Sequence, residues 1–159
     1  MQKIDRVVAP LRVLLVLAFA AALVAQVMSV PGTFAYMARE SPDMAYLRWP
    51  LTLIWEFWLV CIQIVIVCTW KLLTMVKYDR IFSEDSLVWV DAIVWSIAAA
   101  WVVLVGVFLY VGFYVDDPGL PLLLAFAVVG GAVLGLLIVV MRSLLRQATQ
   151  LRTDMDAVV

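Results

Sequence analysis

Four long apolar runs dominate this sequence and constrain its fold more than any other feature. They lie at about residues 10–30, 50–71, 87–115 and 120–141. Each is at least about 20 residues long, the length that a helix needs to cross a hydrocarbon core of about 30 Å. The runs therefore predict an all-α integral membrane protein, in which residues 1–159 form a single domain built on a four-helix transmembrane bundle.

The amino-acid composition also favours a membrane protein. Of the 159 residues, 67% are hydrophobic and 14% are charged, whereas soluble domains carry about 25% charged residues. A chain this apolar has too little polar surface to cover itself in water.

A secretory signal peptide is the alternative interpretation of the first run. A basic start, an apolar centre and alanines near Ala25 fit that pattern. The run is nevertheless about 20 residues long, which is long for a signal peptide and suits a span. We therefore expect it to form the first membrane helix.

Turn signals separate the runs. Pro31-Gly32 and Ser41-Pro42 predict a loop over residues 31–49, and Asp116-Asp117-Pro118-Gly119 predicts a tight turn. In the second loop, residues 71–86, Ser83 is a candidate cap for the third span, because its side chain can satisfy free backbone N–H groups. The acidic residues that follow it suit the positive end of a helix dipole.

The basic residues predict the orientation in the membrane. Nine of them lie near the N-terminus, in the second loop and after Met141, two lie in the first loop, and none lies in the third. Cytoplasmic connections carry the excess of Lys and Arg. We therefore expect both termini and the second loop to be cytoplasmic.

The residues after Met141 have a different pattern from the fourth run. Apolar residues recur at alternating spacings of four and three, with charged and amide residues between them; they are Leu144, Ala148, Leu151, Met155 and Val158. This pattern predicts a short amphipathic helix over residues 142–159. Two heptads are too few for a coiled coil by themselves, so the helix should dock on this protein, a sister subunit or a partner.

Two further features concern binding between proteins. Lys77 and Arg80 belong to a basic rim that sets topology, attracts anionic headgroups or holds an acidic partner. Small residues form a face in the first span, at Ala18, Ala22 and Ala25, and another in the fourth, at Gly131 and Gly135. Such faces allow close helix approach, within the bundle or in a homo-oligomer.

Glu56 is the sharpest candidate for a ligand site. A carboxylate within a span costs about 2.5 kcal/mol or more at mid-depth and is a functional hypothesis by default. Gln26, Gln63 and Tyr110 are predicted at the same outer half of the membrane, so the four residues are a candidate outward-opening pocket. The alternatives are an ion pair of Glu56 with Arg48, and a hydrogen-bonded cluster that only fixes helix packing.

Three other residues have simpler interpretations. Asp91 lies about one turn into the third span, where Lys71, Arg12 or Arg142 can neutralise it. Cys61 and Cys68 lie about 10 Å apart along one helix, too far apart for a disulfide between them, and are expected to be buried apolar residues.

The sequence does not favour an enzyme. Its lack of histidine argues against histidine-ligated haem, most catalytic zinc sites and a Ser-His-Asp triad. We find no nucleophile–base pair, metal cluster or phosphate loop. We therefore expect no catalytic residues, no metal, no cofactor and no direct contact with nucleic acid.

Two stretches resemble a known family. They are Val67–Ser83, followed by Trp89-Val90-Asp91, and the ending Arg142–Val159. Both are similar to the bacterial family called domain of unknown function 2975, in particular its actinobacterial branch. The resemblance implies a four-span protein of the bacterial cytoplasmic membrane with no established activity and no catalytic residues to carry over.

The resemblance also implies a function class. Members of the family are often described beside small helix-turn-helix regulators, which suggests the membrane component of a regulatory pair. The leading hypothesis is therefore a regulatory or scaffold protein whose second loop and tail bind a cytosolic partner. The alternative is a small transporter or lipophilic-ligand binder that uses the pocket around Glu56.

Overall fold

The computed structural model describes residues 2–78, 80–114 and 119–158, and these residues are helical apart from short connections. The α-helices are α1 (Gln2–Val24), α2 (Val30–Glu40), α3 (Arg48–Lys77), α4 (Glu84–Tyr114) and α5 (Gly119–Val158). A π-helical turn, Ala25–Ser29, joins α1 to α2, and a 3₁₀ helix, Pro42–Leu47, precedes α3. The predicted turn at Asp116–Pro118 lies outside the described residues.

Four helical stretches in this part of the chain are long and apolar enough to cross a membrane. They are Val7–Glu40, Ala45–Lys77, Glu84–Tyr114 and Gly119–Val158. The prediction of an all-α protein with four membrane-type helices is therefore confirmed. The chain folds as two compact units, Met1–Leu73 and Thr74–Val159, and the boundary between them falls near the end of α3.

The first unit contains a helix distortion that Pro31 explains. Proline has no N–H to donate to the carbonyl four residues earlier, and its ring crowds that carbonyl. The helix accommodates this with the π-helical turn just before Pro31, where the Val30 N–H donates to the Ala25 carbonyl. The distortion lets the chain continue into α2 without ending the helix.

The predicted loop over residues 31–49 is wrong, because most of it is helical. Proline is well tolerated in the first turn of a helix, and both Pro31 and Pro42 occupy such positions. The break falls at Ser41, whose backbone leaves the helical region and whose N–H donates to the Met37 carbonyl over 3.0 Å. Pro31 and Pro42, which the sequence pattern marks as turn signals, therefore lie in the first turns of helices in this protein.

In the second unit, α4 packs directly against α5. The packed residues of α5 recur every three or four positions along the helix and include Val128, Gly131, Gly135, Ile138, Arg142, Leu145 and Thr149. The Trp101 indole N–H donates to the Val128 carbonyl over 2.9 Å. A Cβ on Gly131 would lie 2.9 Å from the Trp101 ring, so the predicted close approach at this glycine is confirmed within the unit.

Helix α5 continues without interruption through the predicted end of the fourth span at Met141. At 40 residues it is about 60 Å long, twice the hydrocarbon thickness of about 30 Å. No glycine or proline follows Gly135, so nothing in the sequence stops the helix. Residues 142–158 are therefore an extension of the membrane helix and not a separate one.

Candidate functional site

The connection between α3 and α4 folds back on itself through serine hydrogen bonds. Ser86 is fully buried, and its hydroxyl contacts the Ser83 carbonyl oxygen at 2.7 Å and the carbonyl oxygen of Ile81. The Ser83 hydroxyl donates to the Arg80 carbonyl over 2.7 Å, while the Ser83 carbonyl accepts the Ser86 N–H over 3.1 Å. The Ser83 carbonyl therefore accepts a hydrogen bond from the first turn of α4. The sequence instead predicted that the Ser83 side chain would cap this helix.

An ion pair fastens the start of α4 to α5. The Arg142 guanidinium donates two hydrogen bonds to the Asp91 carboxylate, one of them from Nη2 to Oδ2 over 2.9 Å. This two-pronged geometry is the strongest that an arginine and a carboxylate can adopt. Of the three cations that the sequence proposed for Asp91, the structure pairs it with Arg142.

The ion pair lies at one end of a polar hollow between α4 and α5. The hollow has a volume of about 640 Å³, and its charged lining residues are Glu84, Asp91, Arg142, Arg146 and Asp154. Thr149 closes its floor, with only 4% of its surface exposed. The Arg152 guanidinium lies 5.7 Å from the centre of the Phe82 ring, which ties the connection to the later part of α5.

The predicted apolar stripe of the tail lies on the surface. Its side chains are exposed to 58% at Leu144, 65% at Leu151, 70% at Met155 and 87% at Val158, and Ala148 is half-buried. We call the four exposed residues the tail face. Within the second unit, Arg142, Leu145 and Thr149 form the packed side of the helix, so the four exposed residues do not face α4. What the stripe docks on stays a prediction.

The two basic residues that the sequence assigned to partner binding flank this region. Lys77 ends α3 and Arg80 lies in the connection, and both are exposed. The Arg80 N–H donates to the Met75 carbonyl over 2.9 Å, which holds the connection against the end of α3. Their binding role stays a prediction.

The predicted outer pocket is brought together only in part. The Gln63 side-chain N–H donates to the Gln26 side-chain oxygen over 2.8 Å, which links α3 to the π-helical turn. Glu56 is half-buried on α3, about 10 Å along the axis from Gln63. Tyr110 belongs to the second unit, where its ring lies 4.9 Å from that of Tyr114. A pocket formed by all four residues stays a prediction.

The cysteines match their predicted character. Cys61 and Cys68 are free thiols with 7% and 3% of their surfaces exposed. They lie two turns apart on α3 and therefore on the same side of that helix. Within residues 2–78, 80–114 and 119–158, no three carboxylate or cysteine side chains come together as a metal site would require.

Sequence reasoning missed Ser86 and Thr149, which are the most buried polar side chains of this region. Both donate their hydroxyls to nearby carbonyls of the same chain segment, Thr149 to Leu145 over 2.9 Å. A hydroxyl satisfied in this way can be buried at little cost, so neither residue carries a sequence signal of burial. Their burial depends on how α4 and α5 are aligned against each other, and this alignment cannot be read from local sequence patterns.

Comparison with known proteins identifies a family for this chain. No curated protein and no solved structure matches this chain. Residues 32–159 match the family described as protein of unknown function, DUF2975. The match covers α3, α4, α5 and the connection that was singled out from the sequence. The chain therefore belongs to the DUF2975 family.

Proposed function

We propose that the protein is a regulatory or scaffold component of the membrane that binds a cytosolic protein through the tail face. The observation that carries the proposal is the exposure of Leu144, Leu151, Met155 and Val158 on the part of α5 that lies beyond the predicted end of the fourth span. An apolar helix face of this kind is suited to lie in the groove of another protein, with anchors at intervals of three and four residues.

The tail is held in place before any partner arrives. The Asp91–Arg142 ion pair, the buried Thr149 and the Phe82–Arg152 contact all fasten residues 142–152 to the start of α4. A helix that is already ordered loses less conformational entropy on binding than a disordered segment does. Preorganisation therefore supports a docking role for this surface.

The distribution of basic residues supports a cytoplasmic position for the tail, since Lys77, Arg80, Arg142 and Arg146 lie at the same end of the second unit. The family resemblance of the second loop and the tail implies a partner among helix-turn-helix regulators. A soluble regulator of that class is the partner we propose, and the chain itself would not touch nucleic acid.

Photo-crosslinking in intact cells tests the proposal. A crosslinking amino acid at position 151 should capture a helix-turn-helix protein, whereas one at position 143 should not, because Ser143 points about 80° away from Leu151 around the helix. The change Leu151→Asp with Met155→Asp should lower the yield of the adduct formed from position 144 at least tenfold.

The matched control adds the same two charges beside the tail face, as Ser143→Asp with Gln150→Asp. Both of these side chains are exposed. Equal loss of the adduct in the control pair, or capture of the same protein from positions 143 and 144 alike, would contradict the proposal.

The Glu56 pocket is not proposed as a second function. The Gln63 side chain already donates to the Gln26 side-chain oxygen, and this supports the alternative interpretation, in which the polar residues of the first unit fix helix packing. An exchange of Glu56→Gln that abolished pH-dependent ligand binding, with Asp91→Asn as its control, would return the pocket to consideration.

A further inference from the structure

The second unit contains an apolar groove along the contact between α4 and α5. Its volume is about 340 Å³, and its lining residues lie between Val94 and Trp101 on α4 and between Gly131 and Val139 on α5. No charged residue is found among the described residues that line it. Eight residues of helix rise about 12 Å, which compares with about 15 Å for one leaflet of a 30 Å hydrocarbon core. The groove therefore suits an acyl chain within one leaflet.

The polar hollow between α4 and α5 continues this groove along the same contact. On α4, Asp91 of the hollow precedes Val94 of the groove by three residues. On α5, Arg142 of the hollow follows Val139 of the groove by three residues. Three residues of helix rise about 4.5 Å, which is less than one turn. The apolar lining therefore passes directly into the charged lining at the Asp91–Arg142 ion pair.

The groove and the hollow also open on the same side of α5. Ala132 and Leu136 line the groove, and Gln150 and Asp154, each 18 residues later, line the hollow. Eighteen residues make about five full turns of helix. The junction falls where the apolar run of α5 ends, since Arg142 is the first charged residue of that helix. A lipid whose acyl chain lies in the groove therefore has its headgroup at the hollow.

The hollow carries charges of both signs. Asp91 and Arg142 neutralise each other, and the remaining charged residues of the lining are Glu84, Arg146 and Asp154. In the described part of the chain, these three side chains form no ion pair. One cation and two carboxylates are therefore available to a ligand that itself carries an anion and a cation.

We propose that the groove and the hollow together bind phosphatidylethanolamine, with one acyl chain along the groove, the phosphate at Arg146 and the ammonium group at Glu84 and Asp154. An arginine can offer two parallel N–H groups to a phosphate, and carboxylates accept hydrogen bonds from a primary ammonium group. Phosphatidylcholine fits less well because its nitrogen carries methyl groups and no N–H. Phosphatidylglycerol fits less well because it has no cation for the two carboxylates.

The change of lining along the cleft favours a lipid over a helix of a partner protein. A helix with its side chains is about 10–12 Å across, so it can only lie over a groove of this volume. The first unit also has an apolar groove, between α1 and α3, with a volume of about 360 Å³. Its described lining includes Lys71 and no carboxylate, so it does not offer an ammonium group the partners that Glu84 and Asp154 offer.

Lipid retention by the full-length protein tests the proposal. The protein in detergent is mixed with equal amounts of phosphatidylethanolamine, phosphatidylcholine and phosphatidylglycerol with identical acyl chains, and bound lipids are counted by native mass spectrometry. The unchanged protein should retain phosphatidylethanolamine about fivefold or more over either of the other lipids, because only this headgroup matches both signs of charge.

Two pairs of exchanges test the carboxylates. Glu84→Gln with Asp154→Asn should reduce the preference over phosphatidylcholine to below about twofold. The matched control is Asp85→Asn with Asp156→Asn, which changes two exposed carboxylates that do not line the hollow. This control should keep the full preference. Equal losses in the two pairs, or equal retention of the three lipids by the unchanged protein, would overturn the proposal.

A third pair of variants tests the groove. Ala98 lines the groove and its neighbour Ala99 does not, and both are exposed on α4. Ala98→Trp should fill the groove and remove the preference for phosphatidylethanolamine although every charge of the hollow remains. Ala99→Trp should retain lipid as the unchanged protein does. A full preference in Ala98→Trp would show that the headgroup binds without the groove, which contradicts the proposal.

Discussion

The two units join their helices in different ways. In Thr74–Val159, α4 and α5 approach closely because Gly131 leaves room for the Trp101 ring, and the indole then reaches the Val128 carbonyl. In Met1–Leu73, long side chains join the helices, through the Gln26–Gln63 amides and the Arg12–Trp70 contact. Small residues bring backbones together, whereas long polar side chains hold helices at a distance and leave a groove between them.

The largest effect is expected from filling the space at Gly131. Gly131→Ala places a methyl group 2.9 Å from the Trp101 ring, so either the ring or the helices must shift. Overpacking of this kind costs about 1–3 kcal/mol. The free energy of unfolding in detergent, measured by denaturant titration, should fall by that amount.

Gly130→Ala is the matched control for this prediction. A Cβ at Gly130 meets nothing within 4 Å, so the exchange should be neutral or slightly stabilising through helix propensity. Equal destabilisation by the two exchanges would show that close approach at Gly131 does not govern the packing of α4 on α5.

A middle-sized effect is expected from the amide pair of the first unit. Gln63→Leu and Gln26→Leu each remove one partner of a hydrogen bond in an apolar setting, where such bonds contribute about 0.6–2 kcal/mol. The double exchange should cost less than the sum of the single ones, because it leaves no amide unsatisfied. A double-mutant cycle on the free energy of unfolding measures this coupling, and strict additivity would refute the interaction.

The smallest effect is expected at the Asp91–Arg142 pair, which supplements the glycine packing. Both side chains are 38% exposed, so water and salt screen the pair. Asp91→Asn should lower the melting temperature by less than Gly131→Ala does. The loss caused by Asp91→Asn should become smaller at high salt. Asp154→Asn, which changes an exposed carboxylate of the same hollow, should have little effect. A salt-independent loss would show that the pair is more deeply desolvated than its exposure indicates.

Part of the candidate site could be predicted from local patterns. The apolar spacing of Leu144, Leu151 and Met155 indicated one coherent face on a helix, and the structure has these residues on one exposed side. The same spacing did not reveal that Thr149 is the buried residue of the tail. Periodicity shows which residues share a face, but it does not show which face meets a neighbouring helix.

The sequence by itself determined the number of membrane-type helices, because hydropathy is a sum over neighbouring residues. The burial of Cys61 and Cys68 followed from the general preference of free cysteine for buried positions. Only the tertiary structure decided that Arg142 pairs with Asp91 and that Trp101 packs on Gly131. These contacts join residues that are far apart in the chain, and they depend on how two helices are aligned and rotated against each other. That alignment emerges from the packing of whole surfaces, so no single stretch of sequence contains it.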